Sequence, residues 1–143
     1  MRATANLLIG MVAARAGVNV QTVRYYERRG LVRPAARRES GYREYTEEAV
    51  DIIHFIQRAK ELGFTLEEIG ELLSLRNNTR ARCGQVRAKA AAKLSDIERR
   101  LNHLQAMKGA MTILLYSCKS DGSIRHCPII ESLSDRKISG KEL

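Results

Sequence analysis

Three cysteines, Cys83, Cys118 and Cys127, are the side chains of this 143-residue chain best suited to chemistry. Three thiolates without an evident fourth protein ligand suit a soft ion that accepts a low coordination number, whereas structural zinc normally takes four ligands. Cys83 opens a helical pattern that runs without a proline or turn cluster to Tyr116, and Cys118 and Cys127 bracket a short polar loop just past its end. A helix rises about 1.5 Å per residue, so one continuous helix holds Cys83 and Cys118 roughly 50 Å apart. They cannot bind one ion within a single subunit. If the helix pairs antiparallel with its copy, Cys83 of one chain meets Cys118 and Cys127 of the other, which suggests a metal site shared across a dimer. His126 and Asp121 lie in or beside the loop and could add ligands. The ordinary fate of a lone cysteine is burial as a small hydrophobe, and His54 and His103 read as structural or exposed rather than as ligands.

The elements that must carry these thiols are helical. From Cys83 the period becomes a heptad: Cys83, Ala90, Ile97, Leu104 and Met111 form one row, and Leu94, Leu101 and Leu115 the other, interrupted by Arg87 and Lys108. A seam sustained over four heptads requires a partner helix. Pro128 suits the first position of a short final helix, Ile129 to Leu133. Upstream, Leu8, Ile9, Val12, Ala13 and Ala16 follow helical spacing and Gly17 ends that helix. Asn19 caps a second helix, Val20 to Arg29, terminated by Gly30. Two short helices about a Gly-containing turn form a helix-turn-helix. The Arg-rich stretch Arg33 to Tyr45, turning at Ser40-Gly41, reads as a two-stranded wing. Thr46 caps a third helix to about Leu62, with Val50, Ile53, Phe55 or Ile56, and Ala59 inward; Gly63 stops it. Thr65-Leu66-Glu67-Glu68 is a capping box that opens a fourth helix to about Leu75.

The expected fold is mainly α: a winged helix-turn-helix DNA-binding head, a long antiparallel coiled-coil dimerisation helix, and a short C-terminal metal-binding loop and helix. The boundaries read as head 1–76, hinge 77–82, dimerisation helix 83–116, loop and short helix 117–134, and flexible tail 135–143.

Charge points to the partner. The chain carries 25 Lys and Arg against 16 Asp and Glu, a formal net charge of +9. Between Arg15 and Arg43 lie eight arginines against only Glu27 and Glu39. Such a concentration favours an anionic partner, nucleic acid or a membrane surface, over mere solvation. Residues near the start of a recognition helix reach base edges in the major groove, which assigns Gln21, Thr22, Arg24 and Tyr25 to the groove and Tyr42 and Arg43 to the backbone from the wing. Tyr26 and Tyr45 read as packing residues, and Arg37 and Arg38 stand between solvation and phosphate contact. Three cysteines cannot all pair within one chain, which argues against a secreted disulfide framework. Leu7 to Ala14 with Ala14-Arg15-Ala16 mimics a signal peptide but serves better as a helix. No run approaches the ~20 apolar residues needed to span a bilayer. A cytoplasmic protein with no membrane partner is expected, and no catalytic Ser-His-Asp or Cys-His pair with supporting context presents itself.

These segments together resemble the MerR family of metal- and drug-responsive transcription regulators. The likeness is densest at Gly17-Val18, Arg24-Tyr25-Tyr26-Glu27-Arg28, Gly30-Leu31 and Gly41-Tyr42-Arg43-Glu44-Tyr45, and continues at Leu62-Gly63-Phe64-Thr65-Leu66-Glu67-Glu68-Ile69. The cysteine spacing and Cys127-Pro128-Ile129-Ile130 look most like the mercuric-ion-responsive branch; lead- and cadmium-responsive relatives share the three-cysteine layout. Zinc-responsive relatives tend to carry a second cysteine where Lys119 stands, and copper(I)-responsive ones lack a cysteine at the position of Cys83. The resemblance thus implies Hg(II) as effector, ahead of Pb(II), Cd(II) and Zn(II). It implies DNA contact by Arg24, Tyr25 and Arg43, with Lys60 as a further phosphate contact. It also implies a homodimer on double-stranded promoter DNA, where it represses without metal and lets RNA polymerase engage a mercury-resistance operon when metal binds. The rivals are a regulator for an organic cation or an oxidant, and a cytoplasmic metal-buffering protein.

Overall fold

The computed structural model describes residues 7–134. Two compact units divide between Lys93 and Leu94.

The first unit begins with a two-residue strand β1, Leu7–Leu8, that runs directly into helix α1, Ile9–Ala16. Gly17 closes α1 with φ 71°, the left-handed conformation that glycine adopts without steric cost. Helix α2, Val20–Arg28, is capped by Asn19, whose Oδ1 accepts the Thr22 backbone N–H at 2.8 Å and the Thr22 hydroxyl at 2.9 Å. Strands β2, Ala36–Arg37, and β3, Arg43–Tyr45, pair antiparallel through Ala36 and Glu44.

The wing differs from the two-stranded expectation. Leu7 pairs with Tyr45 and Leu8 with Glu44, so β3 is the middle of a three-stranded sheet in the order β1-β3-β2. Leu8, read from its spacing as helical, is extended and precedes the first helical residue. A pairing that spans 38 residues of chain, between Leu7 and Tyr45, leaves no local trace in sequence.

Helix α3, Glu47–Glu61, turns Ala49, Val50, Ile53, Ile56 and Ala59 inward, while Phe55 is only partly buried. Thr46 precedes it in extended conformation but its hydroxyl makes no capping bond. Instead Glu47 and Glu48 put negative charge at the positive end of the helix dipole, and Glu47 pairs with Arg15 of α1. The core these elements share is mostly aliphatic: Val12, Val23, Val32, Ile53, Ile56 and Ile69 are all under 2% exposed, and among the described residues Tyr45 is the one aromatic side chain buried as deeply. Each aliphatic side chain so buried contributes about 1.5–3 kcal/mol.

Gly63, at φ 91°, turns the chain from α3 into helix α4, Leu66–Arg76. The expected capping box is present. The Glu68 backbone N–H donates to the Thr65 hydroxyl at 3.2 Å, and Glu68 Oε1 accepts the Thr65 backbone N–H at 2.9 Å. The Lys93 ammonium and, after it, the Thr65 backbone N–H pull the Glu68 carboxyl from its ordinary 4.5 down to about 2. A depressed carboxyl contributes stability that is whole above the unfolded value and fades as pH falls through the folded one. The contribution from Glu68 is therefore expected to be complete above about 4.5 and to disappear toward about 2. Thermal melts across that range should decline less steeply for Glu68→Gln than for the wild type; equal slopes would remove Glu68 from the acid response.

Helix α5, Cys83–Ser117, is continuous over 35 residues and begins in the first unit. In the second unit its seam faces outward: Leu94 is 56% exposed, Leu101 52%, Leu104 58% and Met111 55%. The chain then passes through a short 3-10 turn, Ile124–His126, into helix α6, Pro128–Ser134. The expected tail, 135–143, lies outside the described residues. Among the described residues, no helix is long and apolar enough to cross a membrane.

Candidate nucleic-acid interface and thiol site

Two of the predicted groups are brought together by the fold. Arg24 and Arg28 of α2, Arg37 of β2, Tyr42, and Arg43 of β3 line one cleft with Ile9, Gly41 and Tyr45. Four guanidinium groups around one concavity create a positive field suited to phosphate, and the planar fork of arginine matches phosphate oxygens in pairs. The sequence reading placed Arg24, Tyr42 and Arg43 on DNA; Arg28 joins them from α2 and Arg37 from the antiparallel wing. Gln21 and Tyr25 are exposed on α2, outside this cleft, and Tyr25 stacks obliquely near Tyr26 with ring centroids 5.9 Å apart. Thr22 is half-buried, and its hydroxyl is already donated to Asn19. Lys60, at the end of α3, lines a separate hollow with Tyr26, His54, Gln57, Arg58 and Glu61.

The residue that organises the cleft was not singled out by sequence. Glu27 Oε1 pairs with the Arg43 guanidinium at 3.0 Å, and Glu27 Oε2 accepts the Tyr45 hydroxyl. One carboxylate therefore braces α2 against the wing and fixes Arg43. Burial, and then the hydrogen bond to Glu27, push the Tyr45 hydroxyl up to about 12, so it stays a protonated donor. The only signal in sequence was an acid inside an arginine-rich stretch, whose partner could be any of eight arginines. Arg38 is engaged elsewhere, in an ion pair with Glu44.

The thiols occupy two places. Cys83 is exposed, at the first position of α5. Cys118 and Cys127 are half-buried and line a common hollow with Ser117, Lys119, Ser120, Gly122, Ser123, Ile124, His126 and Pro128. The backbone holds both: the Cys118 N–H donates to Leu115 O at 3.2 Å, and Cys127 donates to Ile124 O at 3.3 Å while its own carbonyl accepts from Glu131 at 3.0 Å. His126 shares the hollow and Asp121 does not line it. Among the described residues of one chain, no three His, Cys, Asp or Glu side chains gather as a metal-binding group.

Comparison with known proteins bears on both sites. Residues 7–75 match the family described as "MerR HTH family regulatory protein", and residues 50–114 match "MerR, DNA binding". The mercuric resistance operon regulatory protein of Bacillus cereus is 42% identical over 125 residues, which span 87% of this chain and 95% of the relative. A transcription regulator of Ralstonia metallidurans CH34, solved in complex with lead(II), superposes with a TM-score of 0.82 at 34% identity, covering 90% of this chain and 99% of its own. The dual function transcriptional regulator MerR of Bacillus megaterium MB1, in complex with mercury(II) ion, gives a TM-score of 0.68 at 35% identity, covering 94% of this chain and 100% of its own.

Proposed function

The chain belongs to the MerR family of helix-turn-helix transcriptional regulators, and we propose that it is a homodimeric sensor of a soft metal ion, with Hg(II) as its effector. On this reading α5 pairs antiparallel with its copy along the outward seam. Cys83 of one chain then completes a three-thiolate site with Cys118 and Cys127 of the other. The observation that carries the reading is the shared hollow of Cys118 and Cys127 beyond the end of a 35-residue helix that begins at Cys83. Two of the cysteines line one hollow, and a helix about 50 Å long would leave the third to come from a second chain. Bound there, a soft ion would supply strong thiolate bonds that tie one subunit to the other.

The arginine cleft supports promoter binding, with Arg28, Arg37 and Arg43 gripping phosphate and α2 entering the major groove. Family resemblance implies the rest: the dimer holds an overlong promoter spacer in check without metal, and distorts the DNA when metal binds so that RNA polymerase can engage. Metal ligation is a ligand biasing a two-state element, effective only through its differential affinity for the two arrangements.

Pb(II) is the second reading, favoured by the likeness to a regulator solved with lead(II). Competitive titration of Hg(II), Pb(II), Cd(II) and Zn(II), followed by ultraviolet thiolate-metal absorbance, separates them. The expected result is one ion per three-thiolate site, tightest for Hg(II), with proton release and weaker binding as pH falls because the ligands must be thiolates. A reporter driven by the protein's own upstream DNA should respond in the same rank order. Strong induction by Zn(II) with none by Hg(II) would overturn the metal assignment, and a gel shift without sequence preference would favour a metal-buffering protein.

A further inference from the structure

Lys93 is the one buried charged residue among the described residues, 7% exposed, on a helix with no other buried side chain. Its ammonium meets Glu68 Oε1 at 2.8 Å and lies 5.5 Å from the centre of the Phe64 ring, a favourable place for a cation. The same carboxylate oxygen of Glu68 accepts the Thr65 backbone N–H at the start of α4. A second rung lies one turn earlier on α5, where Lys89 Nζ reaches Glu71 Oε2 at 2.6 Å. The two rungs run antiparallel, residues 68 and 71 of α4 against 93 and 89 of α5.

The rungs are unequal. The Lys89 side chain is 35% exposed and Glu71 50%, so that pair is screened and worth little. The Lys93 side chain is 8% exposed and Glu68 37%, so the inner pair is the more sheltered of the two. Releasing it would cost a buried ammonium a charge-assisted hydrogen bond, which is stronger than one between neutral groups. The inner rung is therefore the firmer of the two. It ties α5, about 15 Å along the helix from Cys83, to three things at once: the cap of α4, the Phe64 ring, and through them the Gly63 corner that follows Lys60 at the end of α3.

We infer that Lys93 and Glu68 are the positioning pair through which the state of the thiol at the start of α5 reaches the DNA-binding head. This rests on the sensor reading above. A small movement of α5 on metal ligation is carried to the α3–α4 corner because the pair, with the buried Lys93 stem against Phe64, makes the two helices move together. Without the pair, metal and DNA each still bind, but the two events are uncoupled.

The full-length chain carrying Lys93→Met tests this, since methionine keeps an unbranched side chain over Phe64 and removes the ammonium. It should take up Hg(II) at wild-type stoichiometry and bind operator without metal as the wild type does. Its Hg(II)-dependent reporter induction should fall by about fivefold or more, the range of a lost coupling between sites. Glu68→Gln leaves an amide oxygen for the Thr65 cap but removes the Glu68 charge, and should lose induction in the same way; it decides the matter if Lys93→Met does not fold. Lys93→Arg should restore the response. Wild-type induction in Lys93→Met or in Glu68→Gln overturns the inference, as does loss of metal-free operator binding in both, which would make the pair a support of the fold. Loss of induction in Lys93→Arg as well would put the effect in packing and overturn it too. A wild-type protein that binds operator yet responds to none of Hg(II), Pb(II) and Cd(II) would defeat the sensor reading, and the inference with it.

Discussion

A dimer assembled from one Cys83→Ala chain and one chain carrying Cys118→Ala with Cys127→Ala is expected to regain a metal site that neither mutant homodimer possesses. The reason is geometric. Cys118 and Cys127 share a hollow, and Cys83 begins the 35-residue helix that precedes them. On the proposed antiparallel pairing, each of the two symmetry-related sites would take its ligands from both chains. The mixed dimer then concentrates all three mutations at one site and leaves the other complete. Co-expression with two different tags and purification through both isolates it. Ultraviolet titration with Hg(II) should saturate at about half the wild-type amplitude, one of the two symmetry-related sites. Both homodimers should lack the three-thiolate band. A mixed dimer as silent as its parents would mean that α5 does not pair antiparallel, and the shared site would have to be abandoned.

The second large effect lies in the head. Arg24→Ala should weaken operator binding by about 1–3 kcal/mol and relax preference at one base position if the guanidinium reads a base edge. If it touches only phosphate, affinity should fall alike on all sequences, and the slope of log affinity against log salt should shrink by about one contact. Fluorescence anisotropy on operator and scrambled DNA over a salt series distinguishes these outcomes. Its place in a cleft with Arg28, Arg37 and Arg43 predicts that the salt dependence of the wild type will be steep. Unchanged operator affinity in Arg24→Ala would remove it from the interface.

How much of this was readable in advance follows from the range of the forces involved. Caps and stops act within one turn, so Asn19 before α2, the Thr65–Glu68 box before α4, and Gly17 and Gly63 at helix ends stand in the sequence much as they do in the structure. The inward face of α3 was legible because helical periodicity sorts Val50, Ile53 and Ala59 to one side, while the choice between Phe55 and Ile56 fell to the packing, which buries Ile56. Thr46 shows the limit even there: a good capping residue in the right place makes no capping bond. Nearby acids and an ion pair to Arg15 serve the helix start instead.

What sequence alone determined is therefore the order and type of the helices, the seam along α5, and the three thiols with their spacing, since each rests on near neighbours in the chain. Tertiary structure alone decided that Leu7–Leu8 joins the wing, that Glu27 turns Arg43 and Tyr45 into one brace, and that Lys93 is buried against Glu68 and Phe64. Those partners lie between 16 and 38 residues apart. A charged side chain announces only that it needs a counter-charge or water. Which of the many opposite charges it meets, and whether water is excluded there, is settled by how the helices pack.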